Sequence, residues 1–199
     1  MRQHVRAVVT VALVGLLVAL PIASAQDARL VRVLIETEAG EIEAEIDTVR
    51  APITAANFLK YVDGGLFDGG RFFRTVRPDN QVDKPVKIAV IQAAASRDKR
   101  AQFFPAIPLE RTSVTGLTHK DGTLSMARST PDTARDSFSI CVGDQPALDF
   151  GGPRQPDGQG FAAFGRVTRG MDIVRKIQLG PAEGESLTPP VAILRIKRQ

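Results

Sequence analysis

Leu30-Val-Arg-Val-Leu-Ile-Glu-Thr-Glu-Ala-Gly-Glu-Ile-Glu-Ala-Glu-Ile-Asp47 alternates on both sides of Ala39-Gly40. Val31, Val33 and Ile35 share one face of the first arm; Ile42, Ala44 and Ile46 share one face of the second. A period of two broken by a glycine predicts a β-hairpin that opens the fold. The period then changes. Ile53, Ala56, Phe58, Leu59 and Val62 form a helical stripe over Pro52 to Asp63, with proline suited to the first turn and Gly64-Gly65 to the end. Short strands are predicted at Arg71–Val76, Ile88–Gln92, Gly122–Ala127, Ser137–Val142, Phe161–Val167 and Val191–Ile196, and a second helix at Met171–Ile177. Arg77 to Lys87 reads as an exposed loop, and Ser96 to Thr118, with Pro105 and Pro108, as mostly loop. Many short strands, two helices and no alternation of strand and helix predict an all-β fold, a closed antiparallel barrel capped by helices.

Composition agrees and excludes several functions. The 199 residues suit one domain, and 43% hydrophobic with 24% charged residues argue against disorder. There are 26 basic and 22 acidic residues; without Arg2 and Arg6 the balance is 24 against 22. That is too even for a nucleic-acid footprint without a clustered basic face. One cysteine, Cys141, excludes an internal disulfide and a cysteine zinc cluster. No cofactor and no metal is expected.

Residues 1–25 address the chain. Arg2 and Arg6 precede an apolar run from Ala7 to Leu20, Pro21 breaks it, and Ala23-Ser24-Ala25 offers a small-residue cleavage site. This is the pattern of a secretory signal peptide cut before Gln26, which predicts a mature domain at 26–199 that is periplasmic or secreted and not held on the membrane. The other reading is a retained anchor, since 19 uncharged residues just span a bilayer. A monomer is expected.

Familiar catalytic devices are missing. His119 is the only histidine after the leader, and the Thr118-His119-Lys120-Asp121-Gly122 context reads as a turn. Nucleophile-elbow spacing is absent. Gly158, Gly160 and Gly165 have the wrong spacing for a dinucleotide site. Asp144, Asp149 and Asp157 match no calcium loop and read as solvated carboxylates. Cys141 lies in an apolar strand and reads as core.

The order of short motifs resembles the cyclophilins, the cyclosporin-binding family of peptidyl-prolyl isomerases, over about Val31 to Lys197. Ala51-Pro-Ile-Thr-Ala-Ala-Asn57-Phe58 resembles the first helix of that family. Phe67-Asp-Gly-Gly-Arg-Phe72-Phe73-Arg74 resembles the segment bearing its catalytic arginine, and Val90-Ile91-Gln92 the strand with its site glutamine. Gly122-Thr-Leu-Ser125-Met126-Ala127 with Ser137-Phe138-Ser139-Ile140 resembles its central signature. Leu148-Asp149, Phe161-Ala-Ala-Phe164-Gly165-Arg-Val167 and Gly170-Met171-Asp172 complete the series. The resemblance implies an eight-stranded closed antiparallel barrel capped by two α-helices. It implies that Arg74 aims a donor at the prolyl nitrogen, and that Gln92 binds the substrate carbonyl or steadies the arginine. It implies a proline-binding role for Val90, Ala127, Arg128, Ser137, Ser139, Leu148 and Phe161. The implied partners are proline-containing peptides and unfolded exported proteins.

Several positions depart from the family pattern. The loop between Arg74 and Gln92 is longer than usual. Ser137 replaces a usual glutamine, Ser139 stands where a pocket phenylalanine is typical, and Ala147 where a tryptophan often sits. Losing one buried aromatic removes roughly 1.5–3 kcal/mol of apolar contact, or about ten- to a hundredfold in proline binding. Phe103 or Phe104 from the loop is a candidate to refill the gap, and low sensitivity to cyclosporin is expected. The readings left open are a working isomerase, a catalytically weak proline-peptide binding or chaperone module, and an unrelated barrel binding a small ligand.

Overall fold

The computed structural model describes residues 30–199; the leader assigned to residues 1–25 lies outside them. The predicted hairpin forms as β1 (Leu30–Thr37) and β2 (Gly40–Asp47), in register from Leu30↔Asp47 to Thr37↔Gly40. The remaining strands are β3 (Arg71–Val76), β4 (Val90–Ala94), β5 (Thr123–Met126), β6 (Ser137–Cys141), β7 (Ala162–Arg169), the two-residue β8 (Ala182–Glu183) and β9 (Ser186–Arg198). They are ordered β1-β2-β7-β5-β6-β4-β3-β9, and β9 pairs back onto β1. All pairings are antiparallel, so eight strands close a barrel with no free edge, and β8 is an appendage on β9.

Alternation fills the barrel. Val33, Ile35, Ile42, Ile46, Phe72, Ile91, Leu124, Phe138, Ile140 and Phe164 are wholly buried. Helix α1 (Pro52–Asp63) sends Phe58 into this core, with ring centroids 5.3 Å from Phe67, 5.3 Å from Phe138 and 5.2 Å from Phe164. Ala51 supplies no side-chain cap to α1. Instead the Glu110 carboxylate accepts from the backbone N–H of Ile53 (3.0 Å) and Thr54 (2.7 Å), satisfying two orphan donors at the positive end of the helix. A four-residue turn, α2 (Thr112–Thr115), follows. Helix α3 (Met171–Gln178) buries Val174 and Ile177.

The structure corrects the sequence reading in several places. Ser96 to Thr118 is mostly loop as expected, but it also holds a 3-10 turn at Arg97–Gln102 and α2. The last strand begins at Ser186, not Val191. The loop at 77–87 is anchored, not freely exposed. Gln81 is buried, donates to the carbonyls of Arg77 and Ile88 (both 2.7 Å), and accepts from the backbone of Ile88 and from Arg154. Phe103 and Phe104 do not reach Ser139; they pack edge-on against Tyr61 at 5.5 and 5.2 Å. Cys141 is fully buried as expected, and burial pushes its thiol well above the usual range, which leaves it neutral and unreactive.

Candidate active site

Strand register builds a row across six strands, polar on the first five. Ser186 pairs with Arg74, Arg74 with Gln92, Gln92 with Ser139, Ser139 with Ser125, and Ser125 with Ala163. Neighbours of the row in sequence, Phe72, Ile91, Ala93, Phe138 and Ile140, point into the barrel. The row therefore lies on the outside of the wall. The register shifts between Phe72 and Arg74, a bulge that gives β3 one extra residue, Phe73. Phe73 and Arg74 are both half-buried, and each lines a different groove.

The first groove, about 150 Å³, is bordered by Arg74, Ile88, Val90, Gln92, Ser125, Met126, Ala127, Arg128, Ser139, Leu148, Arg154, Gln155 and Phe161. Eight of the nine residues expected at the site are among these. Ser137 is not; it pairs with Ala94, two residues along the strand from the Gln92–Ser139 pair, and faces neighbouring depressions. Sequence reading missed Ile88, Ser125, Met126, Arg154 and Gln155.

Arg74 is held on two sides. Its Nε and Nη2 donate to one oxygen of Glu185 at 2.8 and 2.5 Å, and Nη1 donates to Oε1 of Gln92 at 2.8 Å. A guanidinium has five N–H bonds. Three are engaged, which leaves one N–H on each terminal nitrogen. Because the Gln92 oxygen accepts from Arg74, its NH₂ is left to donate to a ligand. Glu185 gave no signal in the sequence because it lies 111 residues from Arg74, in the β8–β9 turn.

Arg128 is a wall as well as a backbone segment. Its side chain is fully buried: Nε donates to the Gly160 carbonyl (2.8 Å), and the two terminal nitrogens donate to Asp157 at 2.8 and 2.9 Å. The guanidinium carbon stands 5.1 Å from the Phe161 ring centroid and fixes that ring at the groove. The Ala127 N–H donates to the Ser137 carbonyl (3.0 Å), so Ala127 can offer a ligand only its carbonyl. Gly160 has φ +65°, and a Cβ there would lie 2.5 Å from the carbonyl carbon of Asp149. Only glycine fits this close approach of the Phe161 arm to the Leu148–Asp149 turn.

His119 is not a surface turn residue. It is buried, with Nδ1 2.6 Å from Oδ1 of Asp149 and Nε2 2.8 Å from Oγ of Ser125. Burial holds its basicity below the ordinary histidine value, against the opposing pull of Asp149. The neutral ring then donates from Nδ1 to the carboxylate and accepts the Ser125 proton at Nε2, so Ser125 turns lone pairs rather than a proton toward the groove. Asp144 and Asp157 are likewise paired, with Lys120 and Arg128. Among the described residues no cluster of three His, Cys, Asp or Glu side chains is placed to hold a metal, and no helix is long and apolar enough to cross a membrane.

The His119 strut predicts acid sensitivity. Below about pH 6.5 the unfolded chain takes up a proton that the folded chain refuses, so stability should fall with pH from that point, by at most about 1.4 kcal/mol per pH unit. Urea midpoints at pH 7.5 and 5.5 should differ, and the difference should shrink in His119→Gln. An equal difference in both proteins would contradict this.

The model of the cyclophilin-type peptidyl-prolyl cis-trans isomerase family matches residues 32–198. The chain belongs to the cyclophilins. Peptidyl-prolyl cis-trans isomerase A of Dickeya dadantii is 34% identical over 146 residues, 73% of this chain and 70% of that one. The isomerase cyp18 of Streptomyces antibioticus is 32% identical over 165 residues, 80% of this chain and 93% of that one. A crystal structure of a Cryptosporidium parvum cyclophilin superimposes with a TM-score of 0.65 at 19% identity, covering 85% of this chain and 98% of that one. The same parasite cyclophilin was also solved in the presence of the dipeptide Ala-Pro. The expected cyclophilin barrel of eight antiparallel strands is thus the observed fold, and the chain takes its place among peptidyl-prolyl isomerases.

Proposed function

We propose that this cyclophilin isomerises Xaa-Pro bonds in exported polypeptides, with Arg74 as the catalytic donor. The prolyl amide resists rotation because the nitrogen lone pair is delocalised into the carbonyl, and uncatalysed exchange takes tens to hundreds of seconds. In the twisted state that lone pair is localised on nitrogen and accepts a hydrogen bond. A free N–H of Arg74 is suited to supply it, and the NH₂ of Gln92 to hold the carbonyl oxygen. The proline ring would rest on Phe161, Leu148 and Met126. A contact stronger in the twisted state than in either planar state lowers the barrier. No covalent bond breaks, so no nucleophile or cofactor is required.

The observation that carries this reading is the double anchoring of Arg74. Glu185 and Gln92 fix the guanidinium plane beforehand, so little reorganisation accompanies the twist. Export rests on the leader pattern at residues 1–25, and N-terminal sequencing of the secreted protein should begin at Gln26; a chain beginning at Met1 would contradict it.

Ser139 favours a second reading, a proline-binding module with slow turnover. It lines the groove where an aromatic ring would close it. Isomerisation of a short Ala-Pro peptide by the wild type and by Ser139→Phe tests the choice. Wild-type turnover that rises no more than about tenfold in the variant supports the enzyme; an inert, folded wild type awakened by the phenylalanine supports the binding module.

A further inference from the structure

We infer that a second groove beside the proline site binds acidic side chains of the substrate polypeptide, a reading that rests on the peptide-binding role proposed for the first groove. This groove receives Phe73, the extra residue of the β3 bulge, together with Phe103 and four arginines: Arg71, Arg97, Arg100 and Arg135. One carboxylate, Asp136, lines it. Among the described residues none of the four arginines is in an ion pair. Elsewhere on the surface Arg50, Arg166, Arg169 and Arg198 each meet a carboxylate. Nε of Arg135 is buried and has no hydrogen-bond partner. Four guanidiniums without an ion pair around one concavity, only Arg135 reaching a side chain, the Tyr61 hydroxyl, give it a positive field. A bound carboxylate is attracted by that field, and the planar fork matches it geometrically.

The two grooves are separate but share walls with a third depression between them. Arg135, Asp136 and Ser137 also line a depression whose other wall, Gln92, Ala127 and Arg128, borders the proline site. Arg71 and Arg74 are three residues apart on β3, about 10 Å along a strand. An extended substrate would thus bring a residue about three positions from its proline over the arginines.

The test compares three Ala-Pro peptides: one uncharged, one with two glutamates three and four residues before the proline, and one with them after it. Binding is read by isothermal titration at 20 and 500 mM NaCl, and turnover separately. We expect about tenfold tighter binding of one acidic peptide at low salt, erased by 500 mM NaCl and by the double change Arg97→Glu, Arg100→Glu, with the uncharged peptide unaffected. Both arginines are exposed, so the variant should fold. Equal affinity for all three peptides, or a preference that survives the charge reversal, would overturn the proposal. Preferential binding without turnover would uphold the groove while contradicting the isomerase reading.

Discussion

Arg74→Ala is expected to lower kcat/KM for an Ala-Pro peptide by about 10²- to 10³-fold, the usual consequence of removing one preorganised transition-state donor. The loss should lie in kcat, with KM changed little, because the twisted amide rather than the planar one accepts the bond. Arg74→Lys should recover little, since an ammonium cannot satisfy Glu185 and Gln92 together and still present an aligned N–H. A mainly KM effect, or activity within about threefold of wild type, would remove Arg74 from the mechanism.

Phe138→Ala should cost about 3–5 kcal/mol of folding stability, a large part of the total for a domain of this size. Phe138 is wholly buried and touches the rings of Phe58, Phe67 and Phe72 at centroid distances of 5.3, 5.5 and 6.0 Å. It also precedes Ser139, so the same change should loosen the β6 segment of the polar row. Urea denaturation followed by circular dichroism measures the first effect, and a rise in KM at a temperature where the variant remains folded measures the second. A loss below about 1 kcal/mol would mean that this core readily collapses around the missing ring.

The parts of the fold legible in the sequence were those governed by local periodicity. Leu30 to Asp47 alternates because one face of each arm is buried; of the helical stripe, Phe58, Leu59 and Val62 are buried, whereas Ile53 and Ala56 are exposed and Thr54, Ala55, Asn57 and Tyr61 complete the buried side of α1. Arg74, Gln92 and Ser139 were legible through motif order, and strand register then brought them side by side. What escaped was non-local. Glu185 clamps Arg74 from a turn 111 residues away, His119 meets Asp149 across 30 residues, and Gln81 is seized by Arg154 across 73. None of these partners lies on the same helix turn or strand pair, so periodicity carries no trace of them. Arg128 was expected at the site, but the burial of its side chain against Asp157 and Phe161 depends on residues 29 and 33 positions away and left no local signal. The bulge at Phe73 was also invisible, because one extra residue in a six-residue strand barely disturbs the alternation.

Exchange spectroscopy by NMR tests the central claim most directly: that the groove beside Arg74 and Gln92 turns over an Xaa-Pro bond. The protein at one-fiftieth of the concentration of a short Ala-Pro peptide should produce cis–trans exchange cross-peaks absent from the peptide alone, with amide shifts centred on Arg74, Gln92, Ser139 and Phe161. A folded protein that gives no exchange, or whose shifts centre away from these residues, would contradict the account.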